Sequence, residues 1–201
     1  YYLTVMNENY AHPAMPAGAE EGIIKGMYKF SASKAKAKNK VQLLGSGTIL
    51  REVIAAAELL EKDFGVAADV WSVTSFNELR REGIDCERWN TLHPEAKARA
   101  SYVEQCLDDK TPVVAATDYI RSYADQIRPF VKARYKTLGT DGFGRSDTRK
   151  KLRHFFEVDR YYVAITALKA LADEGTIPAS EVNKAIKLYQ INPDKPNPTT
   201  V

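Results

Sequence analysis

The chain has 201 residues, 44% of them hydrophobic and 27% charged, which is enough apolar material to bury one core and excludes a disordered polypeptide. Its 29 basic and 26 acidic residues leave a formal charge of +3, too weak a field to argue for a nucleic-acid partner. Cys86 and Cys106 are too few and too far apart for a disulfide framework or a CxxC metal knuckle, no apolar run approaches the ~20 residues of a membrane-spanning helix, and the start lacks a basic-then-apolar leader, so a reducing cytoplasm is the expected compartment.

The chain opens on Tyr1 rather than Met and enters an apolar run at once, so a strand is expected over Tyr2 to Met6, belonging to a domain that precedes this one. Residues 7–22 (NENYAHPAMPAGAEEG) carry two prolines and two glycines and read as a connection. Ile23 to Phe30 is expected as a strand. The lysines at 34, 36, 38 and 40 read as a solvated loop at a sheet edge, since no aromatics interleave with them as in single-strand binders. Val41 to Leu44 is the next strand, and with no helix between it and Ile23–Phe30 the two are expected to pair antiparallel.

From Val41 the pattern becomes strand, glycine turn, helix. Ile49, Leu50, Val53, Ile54, Ala57, Leu60 and Phe64 recur at helical spacing and predict a helix from about Thr48 to Phe64 that Gly65 stops. Strands are expected at Asp69 to Thr74, Pro112 to Thr117 and Tyr135 to Leu138. Helical segments fall within 77–107 and over Asp118 to Ile127, Asp147 to Phe156, Arg160 to Glu174 and Pro178 to Gln190. This alternation predicts a three-layer α/β/α domain over residues 23–191, with a mostly parallel sheet covered on both faces. Residues 1–22 precede it as linker and last strand of a neighbouring domain, and 192–201, with three prolines, follow as an extended tail.

Two loops attract attention. Gly45, Ser46, Gly47 and Thr48 lie where a strand meets a helix N-terminus, whose free N–H groups and dipole suit an anion. Leu50 stands where a dinucleotide fingerprint needs its third glycine and no Walker sequence occurs, so a structural turn with a hydroxyl cap explains the residues as well. The second loop, Gly139 to Asp147, presents Asp141, Gly142, Phe143, Gly144, Arg145 and Asp147 after a strand, where ligands and partners gather in an open parallel sheet. Ser146 or Asp147 is expected to cap the following helix. The glycines there can equally serve the backbone alone, with Arg145 paired to a nearby aspartate. His12, His93 and His154 show no metal-ligand spacing, and a Cys86–His93 nucleophile pair lacks any activating feature.

The segments NENY (Asn7 to Tyr10), PAMPAGAEEGI (Pro13 to Ile23), VQLLGSGTILR (Val41 to Arg51), DVWSVTSF, DCERWNTLHP, GTDGFGRSD and LRHFFEVD, in that order, resemble the C-terminal region of the homodimeric pyruvate dehydrogenases of Gram-negative bacteria. The resemblance runs nearly end to end. It implies a transketolase C-terminal-domain fold with a mixed five-stranded sheet, one strand antiparallel. It also implies a parent enzyme that binds thiamine diphosphate and magnesium between its first two domains, decarboxylates pyruvate and reductively acetylates a lipoyl group of an acetyltransferase. The implied partners are the rest of the same polypeptide, a second subunit of a homodimer and that acetyltransferase, with no nucleic acid and no membrane. The GDG and NN residues that hold diphosphate and magnesium in such enzymes are absent; Thr140-Asp141-Gly142 lacks the first glycine. No catalytic, cofactor-binding or metal-binding residue is therefore carried onto this chain, which is expected to serve as a structural and dimerisation domain, inactive alone. The alternative is a regulatory or small-anion-binding module of another transketolase-like thiamine enzyme, using Gly45 to Thr48 or Asp141 to Asp147.

Overall fold

A computed structural model describes residues 9–33 and 37–201. The expected strand at Tyr2 to Met6, and Lys34 and Lys36, lie outside the described residues. The elements run α1 (Glu20–Lys25), β1 (Met27–Ser31), β2 (Lys40–Ser46), a 3-10 turn (Gly47–Ile49), α2 (Leu50–Phe64), β3 (Ala67–Val73), α3 (Phe76–Leu92), α4 (Tyr102–Cys106), β4 (Val113–Ala116), α5 (Arg121–Asp125), a second 3-10 turn (Arg128–Phe130), β5 (Tyr135–Leu138), α6 (Arg149–Phe155), α7 (Arg160–Asp173) and α8 (Ala179–Leu188).

The five strands form one sheet in the order β1-β3-β2-β4-β5, with β1 antiparallel to β3 and every other pair parallel. β3 and β4 are buried along their whole length and β2 beyond its first residue, which is why they read as nearly unbroken apolar runs. Alternation along β2 splits the core in two. Val41 and Leu43 pack with Val53, Leu60, Leu168 and Leu171 under α2, α7 and α8, whereas Leu44 packs with Trp71, Leu79, Val103, Ile127 and Phe130 on the opposite face. Gln42, pointing to that second face, accepts a hydrogen bond from Trp71 Nε1 at 2.6 Å and donates one to Asp108 at 3.0 Å, so its buried amide is satisfied.

The N-terminal region differs from the sequence-based expectation. Residues assigned to one strand, Ile23 to Phe30, divide into the end of α1 and the strand β1. Gly26, at φ 107°, terminates the helix in the left-handed region. Its amide bonds back to the carbonyl of Gly22 at 3.0 Å. β1 pairs antiparallel with β3 and not with β2, because β2 already has β3 and β4 on its two edges. Three other boundaries shift. α2 is preceded by a 3-10 turn, the segment 93–101 separates α3 from α4, and only Arg121–Asp125 of the expected Asp118–Ile127 helix is α-helical. Gly65 does stop α2, at φ 61°. Residues 192–201 run as turns against the domain instead of an extended tail: Lys195 Nζ donates to the Phe155 carbonyl at 2.9 Å, and Pro198 is buried.

Candidate functional site

β2, β4 and β5 are parallel, so the loops that leave them share the carboxyl edge of the sheet. After β2 the chain proceeds to β3 on one side, and β4 then takes the other side. The helices that follow β2 and β4 cover opposite faces, since α2 lies in the first core and Ala124 of α5 in the second. Their loops consequently diverge and leave a crevice, as expected at a topological switch point.

Hydrogen bonds fix the crevice. Ser46 Oγ donates to Thr117 Oγ1 at 2.8 Å and joins the ends of β2 and β4. Thr48 Oγ1 lies 3.4 Å from the Asp118 carboxylate. The Thr140 amide donates to the Tyr119 carbonyl at 2.9 Å, and its hydroxyl donates to the Asp118 carbonyl. Asp141 accepts from the Arg121 amide at 3.2 Å and stands 3.1 Å from Arg121 Nε as an ion pair whose N–H is not aimed along the contact.

The result is a cavity of about 300 Å³ lined on one side by Thr48, Ile49, Asp118, Thr140, Gly142, Gly144 and Arg145. Arg149, Leu152, Arg153, Phe156 and Val158 line the other side. The first four of these recur at i, i+3, i+4 and i+7, so they present one stripe along α6 and just past its end. Thr148 caps that helix by accepting from the Lys151 amide at 3.4 Å, not Ser146 or Asp147 as the sequence suggested. Asp147 accepts instead from the Thr148 amide at 2.7 Å and pairs with Lys151. A threonine at the start of α6 leaves the 149/152/153/156 stripe inward.

A buried carboxylate sits behind the arginine stripe. Glu52, 5% exposed, accepts from Arg153 Nη1 at 3.2 Å and from the Arg160 amide, Nε and Nη2 at 3.0, 2.9 and 3.1 Å. Burial pushes the Glu52 carboxyl upward, but the hydrogen bonds and charge of Arg160, with the charge of Arg153, outweigh it and hold the acid below its ordinary range. Arg153 is therefore held in place from behind, and Arg153 Nη2 also donates to the Tyr10 hydroxyl at 3.2 Å.

Of the residues singled out from the sequence, Thr48, Gly142, Gly144 and Arg145 meet in this cavity. Gly45 and Ser46 do not. A side chain at Gly45 would come within 2.8 Å of the Leu50 backbone, so this glycine allows the helix to close on the strand. Ser46 is buried and supplies no cap hydrogen bond. Asp141 faces Arg121, Phe143 is 81% exposed, and Arg145 lies over the Phe155 ring, 5.4 Å from its centroid, instead of pairing with an aspartate. Ile49, Asp118, Thr140, Arg149, Leu152, Arg153, Phe156 and Val158 were missed. The helical spacing of 149, 152, 153 and 156 was a readable signal, but the approach of α6 to the end of β4 was not.

The Cys86–His93 pair has no catalytic geometry. Burial and the hydrogen bond to Glu82 push the Cys86 thiol up to about 11, the opposite of an activated nucleophile, while His93 stacks on Trp89 and its Nδ1 lies 2.9 Å from the Trp89 carbonyl. Among the described residues, no group of three or more His, Cys, Asp and Glu could hold a metal ion, and no helix is long and apolar enough to cross a membrane.

Comparison with known proteins places these features in a family. Residues 26–159 match the family described as the transketolase-like TK C-terminal domain. The chain is 64% identical over 200 residues to a pyruvate dehydrogenase E1 component of Pseudomonas aeruginosa and 62% identical over 203 residues to one of Cupriavidus necator. An Escherichia coli pyruvate dehydrogenase E1 component is 56% identical over 199 residues. The matches cover 98%, 100% and 98% of this chain but only 23%, 23% and 22% of those relatives. Two Pichia stipitis transketolase structures share the fold at TM-score 0.54 and 19% identity, covering 81% of this chain and 20% of theirs.

Proposed function

The chain belongs to the transketolase-like TK C-terminal domain family, and from that premise we propose that it is the C-terminal domain of a homodimeric pyruvate dehydrogenase E1 component. The carrying polypeptide decarboxylates pyruvate with thiamine diphosphate and magnesium and passes the acetyl group to a lipoyl group of an acetyltransferase. The observation that carries this reading is the 64% identity across 98% of the chain.

The cofactor ligands belong, on this reading, to the other domains of the polypeptide. Neither the GDG nor the NN that hold magnesium and diphosphate in such enzymes occurs in the sequence. No step of the reaction is accordingly assigned to a residue of this chain. Its part is assembly: it contacts the catalytic domains and a second subunit, and the polypeptide works in the cytoplasm. An exposed apolar patch suits this role. At the carboxyl edge of the sheet, Tyr119 and Ile120 are 56% and 49% exposed, and the Tyr119 ring stacks on the half-exposed Tyr123 at 4.8 Å.

Calorimetry with thiamine diphosphate and magnesium tests the assignment. The 201-residue chain alone is expected to bind neither, whereas the complete polypeptide binds both and reduces a lipoyl acceptor in the presence of pyruvate. Magnesium-dependent micromolar binding by this chain alone would overturn the division of labour, and a complete polypeptide inert toward pyruvate would overturn the activity.

A further inference from the structure

We propose that the C-terminal segment 192–201 is a strap that clamps both ends of a lid, residues 142–157, and that its release opens the crevice at the carboxyl ends of β2 and β4. This goes beyond the assembly role, which requires no moving part in the domain.

The lid is lightly built into the domain. Thr140 and Asp141 tie the loop to the segment after β4, through the Tyr119 carbonyl and Arg121, and residues 142–148 are then all exposed. No residue of α6 is fully buried. Charge holds it, with Arg153 on Glu52 at 3.2 Å and His154 Nδ1 2.9 Å from Asp159, and the partly buried Phe156 just beyond it leans on the first core. Segments with few buried apolar contacts open at the lowest free-energy cost. Full burial resumes at Val158 and Asp159.

Both ends of the lid have left-handed backbone. Gly142 lies at φ 106° and Glu157 at φ 61°. Glu157 occupies the turn that ends α6, where the Val158 amide bonds back to the Arg153 carbonyl at 2.9 Å. That position favours glycine, since a β-carbon is strained there. Hinge motions are absorbed at a few such residues at the ends of elements.

The strap touches both hinges. Within 192–201 only Lys195 and Pro198 are not exposed, so two residues fasten it. The Pro198 carbonyl closes on Gly142 so tightly that a β-carbon there would come within 2.5 Å. Lys195 Nζ pairs with Glu157 at 3.0 Å and donates to the Phe155 carbonyl at 2.9 Å, in the last turn of α6, where carbonyls lack helical partners and a cation suits the dipole. The Lys195 and Glu157 side chains are 18% and 28% exposed, so solvent screens this pair less than a surface contact. Lys195 and Arg145 also approach the same Phe155 ring, at 5.3 and 5.4 Å from its centroid, which couples the strap to the loop.

Hydrogen exchange of the complete polypeptide that carries this chain, resolved by mass spectrometry into peptides, tests the strap. Deleting residues 192–201 is expected to speed exchange in α6 by at least about ten-fold while β2 and α7 keep the protection of the parent. Lys195→Met, which keeps the stem and loses the charge, is expected to speed it about three-fold or more, and Lys195→Arg to stay within about two-fold of the parent. Opening has its own readout. Ile49 lines the cavity yet is only 1% exposed, and in an Ile49→Cys background iodoacetamide labelling of that position is expected to accelerate with the deletion and with Lys195→Met. If the shortened polypeptide does not fold, Lys195→Met decides alone on both readouts. The proposal is overturned if exchange in α6 is unchanged in the folded variants, if β2 and α7 lose protection to the same extent, or if labelling at position 49 does not accelerate.

Discussion

Two buried carboxylates at different places in the sheet's surroundings solve the same electrostatic problem in different ways. Glu52, beside the crevice, receives four hydrogen bonds from Arg153 and Arg160, partners that lie 101 and 108 residues away in sequence. Asp69, on the far side of β2 in the strand β3, is 2% exposed and is met by Lys29 and Lys40 at 3.1 and 2.9 Å and by the Ser33 amide at 3.1 Å. In both, burial pushes the carboxyl up and the partners pull it further down, so each acid is held below its ordinary range. The difference lies in the cations. Lys29, Lys40 and Arg160 all keep close to half of their side-chain surface in solvent, whereas Arg153 is 16% exposed and would be stranded without its acid. A fork of fixed geometry joins α2, α6 and α7 into one unit; two flexible ammonium groups merely neutralise a charge on an inner strand.

This contrast makes ordered predictions. The largest effect is expected for Glu52→Ala, which leaves Arg153 buried without its counter-charge and should cost about 3–5 kcal/mol in urea unfolding; a loss under about 1 kcal/mol would erase the distinction. Asp69→Ala should cost less, about 1–2 kcal/mol, because its lysines turn to water while only the Ser33 amide loses a protein partner. The same unfolding midpoint followed downward in pH gives a third measurement. Both acids have folded pKa values below the unfolded ones, so their stabilisation is complete above the ordinary carboxylate range near pH 4 and is lost as pH falls through the depressed folded values. Glu52→Gln is expected to flatten that acid limb more than Asp69→Asn, and equal slopes would show that the arginine fork adds nothing. The smallest effects belong to cation swaps. Arg160→Lys should cost about 1 kcal/mol through loss of the paired hydrogen bonds, and Lys40→Arg about zero.

Local patterns made much of the fold legible. β5 falls on its expected residues, and α7 and α8 lie within one or two residues of theirs, because the β-prone residues of a short strand and the 3.6-residue stripe of long helices are written into the chain itself. Ile23 to Phe30 defeated the same reasoning: apolar residues flank Lys25 there, yet the left-handed conformation of Gly26 turns the chain after one short helix. At the candidate site, the glycine-rich loop was readable, but the role of Ser46 was not. Its hydroxyl serves Thr117, 71 residues away, a contact that no spacing rule contains.

The sequence by itself determined the α/β class, the strands of the parallel sheet, the helix stops at Gly65 and Gly175, and a resemblance carried by ordered segments along the whole chain. Tertiary structure alone decided which strand β1 joins and which residues line the crevice. It also set the fate of the C-terminal turns, whose Pro198 carbonyl lies so near Gly142 that a side chain there would approach to 2.5 Å. The physical reason is common to all three: each depends on contacts between segments distant in sequence, whose energies come from burial and charge pairing after the sheet has assembled, and those leave no periodic trace in the chain.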